Sequence, residues 1–493
     1  MSRPANPQPK GLYPLFFTEL WERFGFYTVQ TILVLYMTRK MGLSDERAFL
    51  LYGAFGSMIY LTPVIGGYLA DRFMGFRQSV ILGGFLFIIG YAIMAIPSPQ
   101  ALFLGMSIVI IANGFFKPNV SSMVGELYTQ GDPRRDGGFT IFYMGINIGS
   151  LIPPLFAGPL VDRYGWNWGF LVAAGGLLIG LGFFLGSKKI LGRGGEVPAI
   201  SPLHHGGKHK ALFYSLLGIG ILAAIGILHV LFIFPSTTDF VLIFISLAIL
   251  AAVLVFLFRE RKEQRRKLLA CLILILVSVG FWAVYTQTFT SLMLFADRNM
   301  GKHWLGIPID AEFTQFFNPL FIILLSPFLS RYWVWLDARG KNPSTPAKFT
   351  YGLLFLALGF IFLSGGTKFF SVDGIASPWW LVGSYFLQTI GELVLSPIGL
   401  AMITRLAPHH LVGMMMGVWF LTQSTAFAIG GALATWASVP KETPPTQSIE
   451  IYSNAFLYYG LLSLVLAIIS YLLIPTVKNL IGPPAEPLNT PKA

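Results

Sequence analysis

Apolar residues run along this chain in long stretches separated by short polar and basic segments. Stretches such as Leu212 to Ile233, Phe240 to Phe258 and Leu268 to Tyr285 approach the roughly 20 residues that a helix needs to cross the hydrocarbon of a bilayer. Windows of this kind predict about fourteen membrane-spanning helices. They begin near residues 14, 48, 77, 100, 138, 168, 211, 238, 267, 313, 347, 378, 411 and 452. The first window carries Glu19, Glu22 and Arg23 in its interior, unlike the uncharged core of a cleavable leader, so it reads as a span.

Composition agrees with a membrane setting. Of the 493 residues, 55% are hydrophobic and only 11% charged, whereas soluble chains carry about 25% charged residues. The net charge of +12 raises the possibility of nucleic acid, but the basic residues fall in alternate loops. With the N-terminus on one side, 24 Lys and Arg lie on that side and 8 on the other, and Arg23 and Lys117 lie within spans. That asymmetry predicts a multi-pass protein of the cell inner membrane with both termini cytoplasmic, and nucleic acid is not needed as a partner. The single cysteine, Cys271, excludes an intramolecular disulfide framework and a cysteine metal cluster.

Two segments divide the chain, the Gly-, His- and Lys-rich stretch from Ser187 to Lys210 and the basic run from Arg259 to Lys267. Two uncharged spans lie between them, and six spans remain on either side, as in transporters built from repeated bundles. The expectation is an all-α membrane protein. Residues 1–190 form an N-terminal six-helix bundle, 191–266 a linker with two additional helices, and 267–493 a C-terminal six-helix bundle. The pairs Gly145/Gly149, Gly176/Gly180 and Gly413/Gly417 have the spacing of helix contacts.

The charges within spans carry the chemistry. At about 100° per residue, Glu19, Glu22, Arg23, Phe26 and Gln30 fall on one stripe of the first helix. A charge at the centre of a lone helix costs roughly 2.5 to 3.5 kcal/mol, so these groups pair or face water. Two acids against one base leave a carboxylate free to meet another cation or take a proton. Lys117 is the natural partner. In the second half, Glu392 lies in an apolar span one turn before Ser396 and Pro397, where it can accept an ammonium group. A base in one half and an acid in the other suit a zwitterion lying between them. The structural alternatives are an ion-pair network that only locks helices, a lysine snorkelling to the interface, and a protonated Glu392 bonded to a neighbouring helix. Tyr60, Trp282 and Trp419 fall inside spans, where they can form side-chain pockets. No enzymatic constellation competes: the seven histidines lie in loops or at span ends, without a His-Glu-x-x-His pair. No phosphate-binding loop is present, which leaves no cofactor and no ATP in the scheme, and the His204, His205 and His209 cluster reads as a solvated loop.

These motifs resemble the proton-dependent oligopeptide transporter family of the major facilitator superfamily, as a bacterial member, over essentially the whole chain. Glu19, Glu22, Arg23, Phe24, Phe26 and Tyr27 match its Glu-x-x-Glu-Arg-Phe-x-aromatic-Tyr pattern. Tyr60 to Pro63, Gly67 to Gly75 with Asp71 and Arg72, Phe142 to Ser150, Gly391 to Pro397, and Met416 to Trp419 match further motifs. The resemblance implies a major facilitator fold in which Glu19, Glu22, Arg23 and Lys117 carry proton coupling. Lys117 holds the peptide carboxylate, Asn318 and Glu392 hold its amine, and Tyr27, Tyr60 and Asn147 meet its backbone, with Trp282, Ser396 and Trp419 completing the site. Many members have a basic residue at the position of Gln30 and an acid at that of Thr286, forming a gating salt bridge. Here both are absent, and Gly53 stands where mammalian members have a histidine.

The implied activity is proton-coupled symport of di- and tripeptides by alternating access, driven by the proton gradient. In this scheme a proton neutralises a motif glutamate, taken to be Glu22, and frees Lys117 for the peptide carboxylate. The competing readings are a same-fold carrier of nitrate, a drug or another small anion, and a peptide receptor without transport.

Overall fold

A computed structural model describes the chain except residues 1–6, 130, 131, 133, 193, 199, 200, 202, 204–206, 407–411 and 483–493. His204 and His205 therefore lie outside the described residues. The first half comprises α1 (Leu12–Leu35), α2 (Asp45–Leu69), α3 (Phe76–Met94), α4 (Pro99–Glu126), α5 (Arg135–Leu151) and α7 (Trp166–Gly186). The short α6 (Ala157–Tyr164) follows α5 after a tight turn at Pro153–Leu155, where two prolines withhold backbone donors. A four-residue α8 (Lys188–Leu191) leads to the extra pair α9 (Gly207–Ile233) and α10 (Pro235–Arg259).

The second half comprises α11 (Lys262–Tyr285) with the short α12 (Ser291–Asn299), α13 (Phe317–Asp337), α14 (Thr345–Phe370), α15 (Pro378–Leu406), α16 (Val412–Ala434) and α17 (Pro445–Ile481). A two-residue hairpin, β1 (His303–Trp304) with antiparallel β2 (Ile307–Pro308), lies between α12 and α13. Among the described residues, eleven helical segments are long and apolar enough to cross a membrane. The 24-residue α1 has the length, but its three interior charges lower its hydropathy. Six long helices, an extra pair and six more reproduce the expected two-bundle arrangement.

Local chemistry explains the ends. Ser44 caps α2, its hydroxyl accepting from the Arg47 N–H at 3.3 Å, and Asp45 and Glu46 occupy the first turn, where the helix dipole favours acids. In the first half, α1 is packed between α5 and α7, and α3 lies against α4. The predicted glycine contacts are present at Gly145/Gly149 and Gly176/Gly180, where a Cβ on Gly149 would stand 2.5 Å from the Leu20 carbonyl oxygen and those on Gly176 and Gly180 would press on Phe24 and Trp21; the packing of Gly413 and Gly417 lies outside what the structure describes. Small residues let these helices approach backbone to side chain. In the second half α14 packs on α15 and α17, and α11 on α16 and α17.

The halves meet through α2 against α16 and α5 against α13. Counting crossings places the connections after α1, α5, α11 and α16 on the side opposite the termini. That side is tied shut. Arg39 pairs with Asp297, and the Arg298 guanidinium donates to both oxygens of Asp45 at 2.6 and 2.8 Å. The Val439 N–H donates to the same carboxylate at 3.0 Å. Among the described residues, both ion pairs that join the two halves lie there. Lower down, α2 and α16 cross almost in backbone contact, since a Cβ on Gly53 would stand 2.9 Å from the Gly431 Cα, and the Ser57 and Ser424 hydroxyls meet at 2.9 Å.

Candidate transport site

The buried charges of α1 do not share their partners evenly. Arg23 and Glu22 are adjacent, and the guanidinium fork takes that carboxylate with both arms, Nε to Oε2 and Nη2 to Oε1, each at 2.5 Å. Glu19, one turn earlier, stands 3.8 Å from Arg23 Nε and faces α4, where the Lys117 Nζ donates to its Oε1 at 2.7 Å. Lys117 therefore rests on Glu19 rather than on Glu22, the acid expected to release it. The reason is the fork: a bidentate partner saturates Glu22. The other Glu19 oxygen is buried without a hydrogen-bond partner. Arg23 also lies over the Phe26 ring at 4.6 Å, a cation–π contact that suits a desolvated guanidinium.

Across the interface, Glu392 on α15 is held in a polar cluster. The Tyr285 hydroxyl donates to its Oε2 at 2.7 Å, and the Asn318 amide donates to the same oxygen at 2.8 Å. Asn318 also reaches the Tyr285 hydroxyl at 2.6 Å and Thr389 Oγ1 at 3.2 Å. Neutral donors from α11 and α13 thus orient the carboxylate, and no cation balances it among the described residues. It is set to receive one.

Beside the Glu392 cluster lies a cavity of about 280 Å³ whose walls come from both halves; Glu19, Glu22, Arg23 and Lys117 are not in its lining, and Arg23 backs it through the rings of Phe26 and Tyr27. Tyr27, Tyr60, Asn147, Trp282, Asn318, Glu392, Ser396 and Trp419, all singled out from sequence, line it. Gln30 and Thr286 line it too, as neutral side chains where an ion pair was expected to be missing. Thr286 Oγ1 donates to the Ala283 carbonyl at 2.8 Å and presses against Gly430, which has no room for a Cβ. Asp71, Arg72 and Gly75 lie away from the cavity, at the α2–α3 connection. Asp71 and Arg72 are exposed, and Gly75 has φ +79°, a left-handed backbone that glycine adopts without strain.

Sequence reading missed Tyr285, Tyr143, Gln315 and Gln423, which also line the cavity. Helical spacing held the signal for two of them: Tyr285 is three residues after Trp282, and Tyr143 is four before Asn147, so each shares a face with a residue already singled out.

A family model described as the POT family matches residues 77–452. The chain belongs to the POT family. It is 35% identical over 486 residues to dipeptide and tripeptide permease B of Salmonella typhimurium, covering 97% of each chain. It is 36% identical over 491 residues to dipeptide and tripeptide permease B of Aeromonas hydrophila, covering 97% of this chain and 96% of that one. Among solved structures, a mutant of a peptide transporter POT in complex with alafosfalin superposes with a TM-score of 0.84 at 36% identity, covering 97% of both chains. The fold is therefore that of POT transporters, a major facilitator fold carrying an extra helix pair.

Proposed function

We propose that this POT family member is a proton-coupled symporter that imports di- and tripeptides across the cell inner membrane, with both termini cytoplasmic. The observation that carries the reading is a cavity walled by both bundles, with the unbalanced Glu392 in its lining on one side and, on the other, the rings of Phe26 and Tyr27 backed by Arg23, whose neighbour Glu19 holds Lys117. The permease relatives support the cargo. In this reading residues 1–190 and 267–493 rock as units about the cavity, and residues 191–266 link them without lining it. A peptide amine displaces the neutral donors on Glu392, and the peptide carboxylate competes with Glu19 for Lys117. Tyr27, Tyr60 and Asn147 meet the peptide backbone.

Protonation of Glu19 releases Lys117 to the peptide, and recapture of Lys117 by Glu19 expels the proton after the peptide leaves. Glu22 acts through Arg23: neutral Glu22 frees the guanidinium to take Glu19, which again releases Lys117. The energy source is the proton gradient, with no cofactor. An inorganic anion such as nitrate has no amine for Glu392, so the site favours peptides over that cargo.

The test is uptake of a labelled dipeptide into liposomes with and without an imposed proton gradient. Glu19→Gln is expected to lose gradient-driven accumulation and keep peptide exchange. Full accumulation by that variant would overturn the coupling scheme, and competition by nitrate as strong as that by unlabelled dipeptide would overturn the cargo.

A further inference from the structure

A second cavity, of about 470 Å³, lies outside the transport site between α2, α4 and α9, and its walls are almost wholly apolar. Its floor is the tight crossing of α2 and α4, where a Cβ on Gly114 would stand 2.9 Å from the Thr62 carbonyl oxygen. Phe115 on that floor is two residues from Lys117. The cavity opens sideways, because Ile65 on one lip and Leu216 on the other are 62% and 60% exposed. At the end nearer the termini, the Phe73 and Phe213 rings meet at 5.5 Å and Tyr214 donates to Gln78 at 2.6 Å, which closes the flank toward α3.

Its length and setting identify what fits. On α9 the lining runs from Phe213 to Ala224, and on α2 and the helical turn Ala70–Met74 that continues it from Phe73 to Thr62, which at about 1.5 Å per residue is about 16 Å. That is half of the roughly 30 Å hydrocarbon core, the depth of one leaflet. Just beyond the cavity, toward the termini, the first turn of α9 carries Lys208 and Lys210, both exposed. Lys188 and Lys189 on α8 are exposed on the same side. On the α2 side Asp71 and Arg72 offset each other, so the excess at the mouth is basic. Clustered lysines beside a membrane helix attract anionic headgroups.

We propose that this crevice is a binding site for an anionic phospholipid of the leaflet on the termini side, one acyl chain lying between α9 and the α2–α4 pair and the phosphate held by Lys208 and Lys210. The lipid wedges the extra helix pair against the first bundle, directly behind the helix that carries Lys117.

Native mass spectrometry of the purified full chain, titrated with phosphatidylglycerol or phosphatidylcholine, tests this. One retained phosphatidylglycerol is expected, preferred over phosphatidylcholine by about fivefold for each lysine engaged. Gly220 lines the crevice and has open space where a Cβ would sit, so Gly220→Trp fills it without a backbone clash and is expected to abolish retention of either lipid. The double variant Lys208→Gln with Lys210→Gln is expected to keep lipid retention and lose the preference for phosphatidylglycerol. Equal affinity of the wild-type chain for the two lipids would overturn the proposal, as would unchanged retention by Gly220→Trp. The charge variant decides if the tryptophan variant fails to fold, since an undiminished preference there also overturns it. Failure of peptide uptake would refute the transport reading and leave these outcomes unaffected.

Discussion

Glu392 and Lys117 show how far neighbouring groups determine what a single side chain does. The Glu392 carboxylate is held by two neutral donors, and hydrogen bonds to charged groups contribute about 1.5 to 3 kcal/mol each. Replacing it with Gln should weaken a dipeptide with a free amine by about tenfold or more, and leave an N-acetylated dipeptide nearly unchanged. Competition for labelled-dipeptide uptake measures both; an equal loss for the two ligands would place the amine elsewhere. The residue types at this site were legible in the sequence because ionisable groups in apolar spans are costly and so stand out. Their pairing was not. Whether Lys117 meets Glu19 or Glu22 depends on how Arg23 divides its fork, 2.5 Å from Glu22 and 3.8 Å from Glu19, which spacing does not encode. Tyr285 escaped notice for a related reason: an aromatic in a membrane helix carries no mark until a carboxylate from another helix arrives at 2.7 Å.

At the scale of elements, long helices were legible and their breaks were not. The predicted starts lie within a few residues of the observed ones through most of the chain, since an apolar run must cover the hydrocarbon. The largest offset is at α17, which begins at Pro445 rather than near 452. Its first turns are polar and lie beyond the apolar window that announces the span. The turn at Pro153–Leu155 and the short α12 after Thr286–Phe289 interrupt helices at the ends away from the termini, where hydropathy gives no warning. Packing between elements depends on small residues. Gly53→Leu should prevent α2 and α16 from meeting, because the added side chain would have to displace backbone at Gly431. The expected outcome is loss of gradient-driven uptake with the purified protein still folded; uptake within twofold of wild type, a loss of only about 0.4 kcal/mol in rate terms, would show that this crossing does not have to close.

For the whole molecule, the sequence defined the number of spans and the grouping into six, two and six, because each follows from run length and charge. It left open which ends of the bundles touch. Among the described residues, both cross-bundle ion pairs and the Gly53–Gly431 crossing lie away from the termini, so the described conformation is closed on that side. The orientation is open to direct measurement. Lys441→Cys, on the closed side, should react with a membrane-impermeant maleimide applied to intact cells, and Lys208→Cys should react only after the cells are opened. The native thiol of Cys271 is buried and leaves the background low. The reverse pattern would invert the topology and with it the direction assigned to transport.

The contact of α2 with α16 through bare glycine backbone also bears on how the closed side opens. Attraction between close-packed atoms falls steeply with distance, a gap of 0.5 to 1 Å already forfeiting about a quarter to a half of it. Charges attract over a longer range and let two surfaces part gradually, but a seam of this kind is either shut or lost. Rim ion pairs can guide the bundles together, while the seam beneath them favours either full contact or none, which leaves few stable arrangements between shut and parted.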